Sequence, residues 1–201
     1  MKKIMMTGSI LALSACGTSG GSDGPTFDIS DDVTAFAAEA DRFRVLSPTG
    51  VADLPPTAGF VTYDGQISAR TTRGLNDADV IADIQFQIDF VSTEVDGSMT
   101  NIAVLTRTGE SISTTGTLNV VSGAEADGTI SARMEGTIES IRLRDNQPGG
   151  MTFGRVDFTG NIVNDDSTAD GLFGSVEADF EGDLPIPFAG DFYASQQPVA
   201  P

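Results

Sequence analysis

From Phe60 almost to its end, the chain alternates apolar and polar residues with a period of two. That period places every second side chain on one face of an extended strand. Sustained over so many residues, it calls for an all-β domain with one face of each strand buried and the other solvated. The clearest run is Ala82, Ile84, Phe86, Ile88 and Phe90, interleaved with Asp83, Gln85, Gln87 and Asp89. Val61, Tyr63, Gly65, Ile67 and Ala69 precede it in the same manner. Further runs cover residues 112–120, 130–138, 156–162, 172–180 and 186–192, while 99–105 reads as a strand of unfixed phase. The pattern predicts about eight strands joined by turns rich in Gly, Asp and Asn.

Two details choose among all-β architectures. The apolar face of most strands carries a glycine (Gly65, Gly116, Gly136, Gly160, Gly174 and Gly190). Glycine weakens a strand, so its recurrence points to sharp coiling or close backbone approach, as barrel closure demands. The phase also slips between Ile138 and Ile141, which places a bulge at Glu139 and Ser140, and bulges gather at barrel rims. The expected fold is an antiparallel up-and-down β-barrel of about eight strands, with a two-sheet sandwich as the alternative. A membrane-spanning barrel is the poorer reading. Its lipid-facing side would be studded with glycine, and two tyrosines without a tryptophan cannot build aromatic girdles. Tyr63, Phe86, Phe90, Phe158, Phe180, Phe188 and Phe192 all fall on the inward side. An eight-stranded barrel is just wide enough to be filled by such rings, which leaves loops and outer wall for binding.

The N-terminal third is organised differently. Ser30 is expected to cap a helix over residues 31–44, with Asp31 and Asp32 favoured by the dipole in its first turn. Val33, Phe36, Ala37, Ala40 and Phe43 form its apolar face, expected to flank or plug the barrel. Leu54-Pro55-Pro56 ends this region. Ahead of the helix, residues 17–24 are a Gly/Ser-rich tether. Ahead of that, Lys2 and Lys3 precede a short apolar run over residues 4–13, the layout of a secretory signal. The run is too short to span a bilayer, which takes about 20 residues. It ends in Leu13-Ser14-Ala15-Cys16, which resembles the lipobox of bacterial lipoproteins and implies cleavage before Cys16 and acylation of that residue. The expected division is signal peptide 1–15, lipidated tether 16–29, helix and linker 30–53, barrel 54–194 and tail 195–201. Cys16 is the only cysteine, so no internal disulfide is possible.

Without the signal, nine arginines face 29 Asp and Glu residues, a formal charge of −20. Such a surface repels nucleic acid and anionic headgroups and steers basic partners toward itself. No enzyme is expected. Histidine is absent, so neither a Ser-His nor a Cys-His pair can form. Asp165-Asp166 reads as turn chemistry. Residues 164–171 lack the spacing of a calcium loop. Direct haem ligation would fall to Tyr63, Tyr193 or a methionine, and Tyr63 reads as an inward core residue. No cofactor or metal is expected.

Several motifs, in order, resemble the transferrin-binding protein B-like surface lipoproteins. Residues 54–65, from Leu54-Pro55-Pro56 to Tyr63-Asp64-Gly65, resemble the start of that family's barrel with its Tyr-x-Gly. Residues 82–90 followed by Val95-Asp96-Gly97 are similar to its strand ending in Asp-Phe, with a short turn and a glycine. Gly171-Leu172-Phe173-Gly174 and Gly190-Asp191-Phe192-Tyr193 are similar to its Gly-x-Phe-x-Gly and Gly-x-Phe-Tyr repeats. The resemblance covers roughly residues 54–194. It implies an outer-membrane, surface-displayed lipoprotein whose barrel captures a protein or an iron- or haem-source partner, often beside an outer-membrane receptor. A single barrel with one short helix departs from the two-lobed transferrin binders, and Ala194 stands where the family continues with glycine and a further strand. No contact residue is carried over. A periplasm-facing structural or assembly lipoprotein and a lipocalin-like small-molecule carrier are the alternative functions.

Overall fold

The computed structural model describes residues 29–48, 60–71, 77–106, 111–142, 147–164, 171–182 and 187–197. One helix, α1 (Ile29–Arg44), is followed by β1 (Ser47–Pro48), β2 (Val61–Thr71), β3 (Asp79–Asp89), β4 (Glu94–Leu105), β5 (Ser111–Gly116) and β6 (Leu118–Ala126). Then come β7 (Thr129–Arg142), β8 (Gln147–Asn164), β9 (Gly171–Gly182) and β10 (Phe188–Gln196). From β2 onward each strand pairs antiparallel with its successor around a ring, except that β5 and β6 follow one another along a single position between β4 and β7. β10 then returns to β2, paired from Phe188↔Thr71 to Gln196↔Tyr63. The result is a closed up-and-down barrel of eight staves, not a sandwich. Ser195 and Gln196, expected in the tail, still belong to β10.

The period-two pattern carries through to the core. Phe86, Phe158 and Phe192, from three different staves, meet at the centre with ring centroids 5.2 to 5.8 Å apart, two of the three contacts edge-to-face. Phe180 and Phe188 form a second contact at 5.7 Å, and Tyr63 is fully buried in the same core. Phe90 is only partly buried at the end of its run. Fully burying a phenylalanine stabilises by roughly 1.5–3 kcal/mol, so these rings dominate the interior.

Glycines sit where two staves and a ring would otherwise collide. Gly160 and Gly174 face each other across β8 and β9, and the Phe192 ring lies over both. A Cβ on Gly160 would stand 2.7 Å from Phe192 Cζ and 2.8 Å from the Phe173 carbonyl oxygen. Gly116 differs from the expectation. It is exposed rather than inward, with φ of 117°, and marks the break where β5 gives way to β6.

Bulges explain the other departures from simple alternation. On β4, Ile81↔Ala103 is followed by Asp83↔Thr100, so β4 carries one extra residue there. Asn101, with φ of 53°, lies in that bulge and lets Met99 and Ile102 both face inward three positions apart. The slip expected at Glu139 and Ser140 does occur, at Ser140/Ile141, but the extra residue is on the facing strand: Ser140 pairs Gly150 and Ile141 pairs Pro148, which leaves residue 149 over. Ser140 itself stays inward and buried.

The turns are built from local chemistry. Asp127 and Gly128, with φ of 54° and 81°, join β6 to β7 as a two-residue hairpin of the kind that matches strand twist. The Glu125 carboxylate, buried behind it, accepts a hydrogen bond from the Gly128 amide at 2.7 Å. Between β3 and β4, Asp89 Oδ1 accepts from the amides of Val91 (2.8 Å) and Ser92 (3.2 Å). These amides hold the Asp89 carboxyl below its ordinary range. A lowered folded-state pKa contributes stability above the unfolded value that is lost as pH falls through the folded one. The turn is therefore expected to hold down to pH values below the usual aspartate range of about 3.9. The check is a pH titration in which the Val91 and Ser92 amide shifts move with a lower midpoint than those beside solvated aspartates.

Helix α1 flanks the barrel and does not plug it. Phe36, Ala40 and Phe43 are buried, whereas Ala37, expected on the same face, is exposed. The helix begins at Ile29, which puts Ser30 inside its first turn and not at the cap. Phe36 and Phe43 both pack on Tyr193, an outward residue of β10, at 5.1 and 5.4 Å. Arg44 adds an ion pair to Asp191 at 3.1 Å, worth under about 1 kcal/mol at an exposed position. The helix lies across the wall where β9, β10, β2 and β3 run side by side.

Candidate functional site

Most of the rest of the outer wall is polar and charged, with Val121, Met151 and Phe153 as exposed apolar exceptions. On β7 and β8, Arg133 bonds Asp157 at 2.7 Å and Arg155 bonds Glu135 at 3.1 Å, a crossed pair of ion pairs that suits exposed strands. Apolar inside and charged outside is the reverse of a wall that faces lipid. Among the described residues no helix is long and apolar enough to cross a membrane.

Beside α1 the wall changes character. The outward residues of β2 and β3, polar except for Ile81, are mostly only half-exposed, whereas those of β8 stand open to solvent. A cleft of about 530 Å³ opens here, floored by Gly65 and Ile84 and walled by side chains of β2, β3, β4 and β10. Register builds it. Ser195, Asp64, Gln85 and Ser98 form one row across four staves, and Tyr193, Gln66, Asp83 and Thr100 form the next. Two tripeptides, Asp64-Gly65-Gln66 and Asp83-Ile84-Gln85, share the pattern Asp-x-Gln. Because their strands run antiparallel, each amide falls opposite a carboxylate.

The hydrogen bonds follow that checkerboard. Gln85 Nε2 donates to Asp64 Oδ1 at 2.8 Å, and Gln66 Nε2 donates to Asp83 Oδ1 at 3.2 Å. Asn101, placed by its bulge, donates Nδ2 to Asp83 Oδ2 at 2.7 Å. The Tyr193 hydroxyl donates to Gln66 Oε1 at 3.4 Å. Burial raises the Tyr193 phenol above its ordinary pKa; the carboxylate of Glu39 on α1 raises it further, Arg42 partly offsets this, and Asp83 also raises it. The phenol therefore stays protonated and donating. The carboxylates are held by neutral donors, with no lysine or arginine among the lining residues.

The residues named from sequence fall elsewhere or take other roles. Tyr63 is sealed inside the barrel, and Tyr193 packs its ring on Phe36 and Phe43 while its hydroxyl reaches Gln66 in the cleft. Cys16 with the signal region, Asp165-Asp166 and most of the 164–171 loop lie outside the described residues. Among the described residues no group of three or more His, Cys, Asp or Glu side chains could hold a metal ion. The cleft itself was not singled out from sequence, although the repeated Asp-x-Gln was there to find it. No protein-family model matches the chain, and no curated protein matches it.

Proposed function

We propose that the chain is an outer-membrane lipoprotein, anchored through Cys16 and displayed at the cell surface, whose barrel captures a protein or an iron- or haem-source partner on its outer wall. The observation that carries this reading is the contrast between a barrel section filled by Phe86, Phe158 and Phe192 and a polar cleft on the wall outside it. A cleft of several hundred Å³, a size typical of a binding site, lies on the outer wall while rings fill the barrel section, which favours an outer-wall partner over a lipocalin-like carrier. The resemblance of residues 54–194 to the transferrin-binding protein B-like barrels, and of Leu13-Ser14-Ala15-Cys16 to a lipobox, supports the same reading.

Two acyl signals make anchoring stable, so Cys16→Ser is expected to abolish incorporation of a labelled fatty acid and release the chain from the membrane fraction. Protease shaving of intact cells should then remove the wild-type barrel. A barrel untouched until the outer membrane is breached would assign the chain to the periplasmic face and the structural alternative.

A further inference from the structure

Resting on that reading, we propose that the cleft beside α1 binds the guanidinium groups of an extended basic segment of a partner protein. The chemistry of the lining decides the ligand class. Each cleft glutamine spends one of its two amide N–H donors on a carboxylate, Gln85 Nε2 on Asp64 and Gln66 Nε2 on Asp83. Each ionised carboxylate has about four lone-pair sites. Asp64 spends one of them on Gln85, and Asp83 spends two, on Gln66 and Asn101. Beside the remaining amide N–H groups and the Ser98 and Thr100 hydroxyls, the charged chemistry the cleft offers a visitor is acceptor capacity at two fixed negative charges, with no cation beside them. A ligand rich in donors and positive charge matches it, and a planar guanidinium with five N–H groups is the side chain best suited to carboxylate geometry.

Three other ligand classes fit less well. A sugar site normally offers an aromatic face, and the Tyr193 ring is packed against Phe36 and Phe43. A hard metal ion takes six or more oxygens, whereas here two carboxylates face amide N–H groups that would have to turn away. An anion is repelled by both aspartates and by a chain of net charge −18.

Spacing narrows the ligand to an extended segment. Asp64 and Asp83 occupy diagonal positions across β2 and β3, since Asp64 pairs Gln85 and Gln66 pairs Asp83. Diagonal neighbours on one face lie roughly 7–8 Å apart. Alternate side chains of an extended peptide, at about 3.3 Å per residue, are spaced almost the same, so Arg-x-Arg can meet both carboxylates at once. The two aspartates are held in place by their amides before the ligand arrives, which lowers the ordering cost of binding.

The test uses the full chain purified in detergent and a capped Arg-Ser-Arg peptide, titrated calorimetrically, with the side-chain amide signals of Gln66 and Gln85 followed by NMR. We expect binding that shifts both amide signals, that weakens at least tenfold in the double variant D64N/D83N, and that changes less than twofold in D157N on the far wall. Should D64N/D83N fail to fold, Thr100→Arg, which sets the chain's own guanidinium in the cleft, must abolish binding instead. Equal weakening by D157N would reduce the effect to general surface charge and overturn the proposal. So would competition by maltotriose, or unchanged Gln66 and Gln85 signals. Any of these in a chain that is still acylated and shaved from intact cells would sink the cleft assignment alone; peptide binding by a sheltered, unacylated chain would sink only the surface-lipoprotein reading.

Discussion

Gly174→Val is expected to prevent the barrel from forming. A side chain on Gly174 would run into the backbone of β8 at Thr159 and Gly160, and its Cβ would lie 2.9 Å from Phe192 Cε1. Neither neighbour can give way cheaply. The backbone contact is part of the β8–β9 pairing, Gly160↔Gly174. Phe192 is wedged between Phe86 and Phe158. Overpacking a core usually costs about 1–3 kcal/mol, and here backbone and ring must move together, at a site on the ring of hydrogen bonds that closes the fold. Because the clash falls on backbone that no rotamer change can clear, the cost is expected to exceed that range and to approach the total stability of about 5–15 kcal/mol. Circular dichroism should show loss of the β signal at 25 °C, and the variant should collect in the insoluble fraction. A soluble Gly174→Val protein that melts within a few degrees of wild type would mean that β8 and β9 do not approach as closely as described.

Phe158→Ala is expected to leave a folded but much weaker barrel. Phe158 is almost fully buried and makes edge-to-face contacts with Phe86 at 5.2 Å and Phe192 at 5.4 Å. Truncating a buried phenylalanine costs about 3–5 kcal/mol, part from lost transfer and part from the cavity left behind. For a domain of this size each kcal/mol shifts the midpoint by roughly 2–4 °C, so a fall of about 6–20 °C should appear in a thermal melt. The cavity would be lined by carbon and dry, and such cavities take up benzene. Benzene should therefore restore part of the lost midpoint in Phe158→Ala and do nothing for wild type. Equal stabilisation of wild type would show that the barrel already holds an open interior, and would bring the carrier back into consideration.

Most of the barrel could be read from the alternation because a buried face punishes any register error: a slip of one residue turns every phenylalanine to solvent. The run from Ala82 to Ile88 shows this most plainly, with every expected inward residue buried. What could not be read were the places where the period is broken by backbone conformation and not by side-chain type. Asn101 enters the left-handed region and resets the phase of β4, so Met99 and Ile102 cannot belong to one alternating series. The slip after Ser140 is visible from β7 alone, yet which strand carries the surplus residue depends on β8, and a single run holds no such information. The cleft was hidden for a related reason. Asp64, Gln66, Asp83 and Gln85 are what any solvated strand face looks like, and only pairing β2 with β3 sets each amide against a carboxylate.

The return of β10 to β2 has a bearing on life in a crowded layer. Open sheets present a row of unsatisfied amides and carbonyls at their margins, and neighbouring molecules held close together can zip onto them into fibrils. Here the two would-be margins are spent on one another along the whole of β10. Copies anchored side by side, as proposed, would meet through flanks that carry net negative charge, and each would keep its own shape and stay separate from the next.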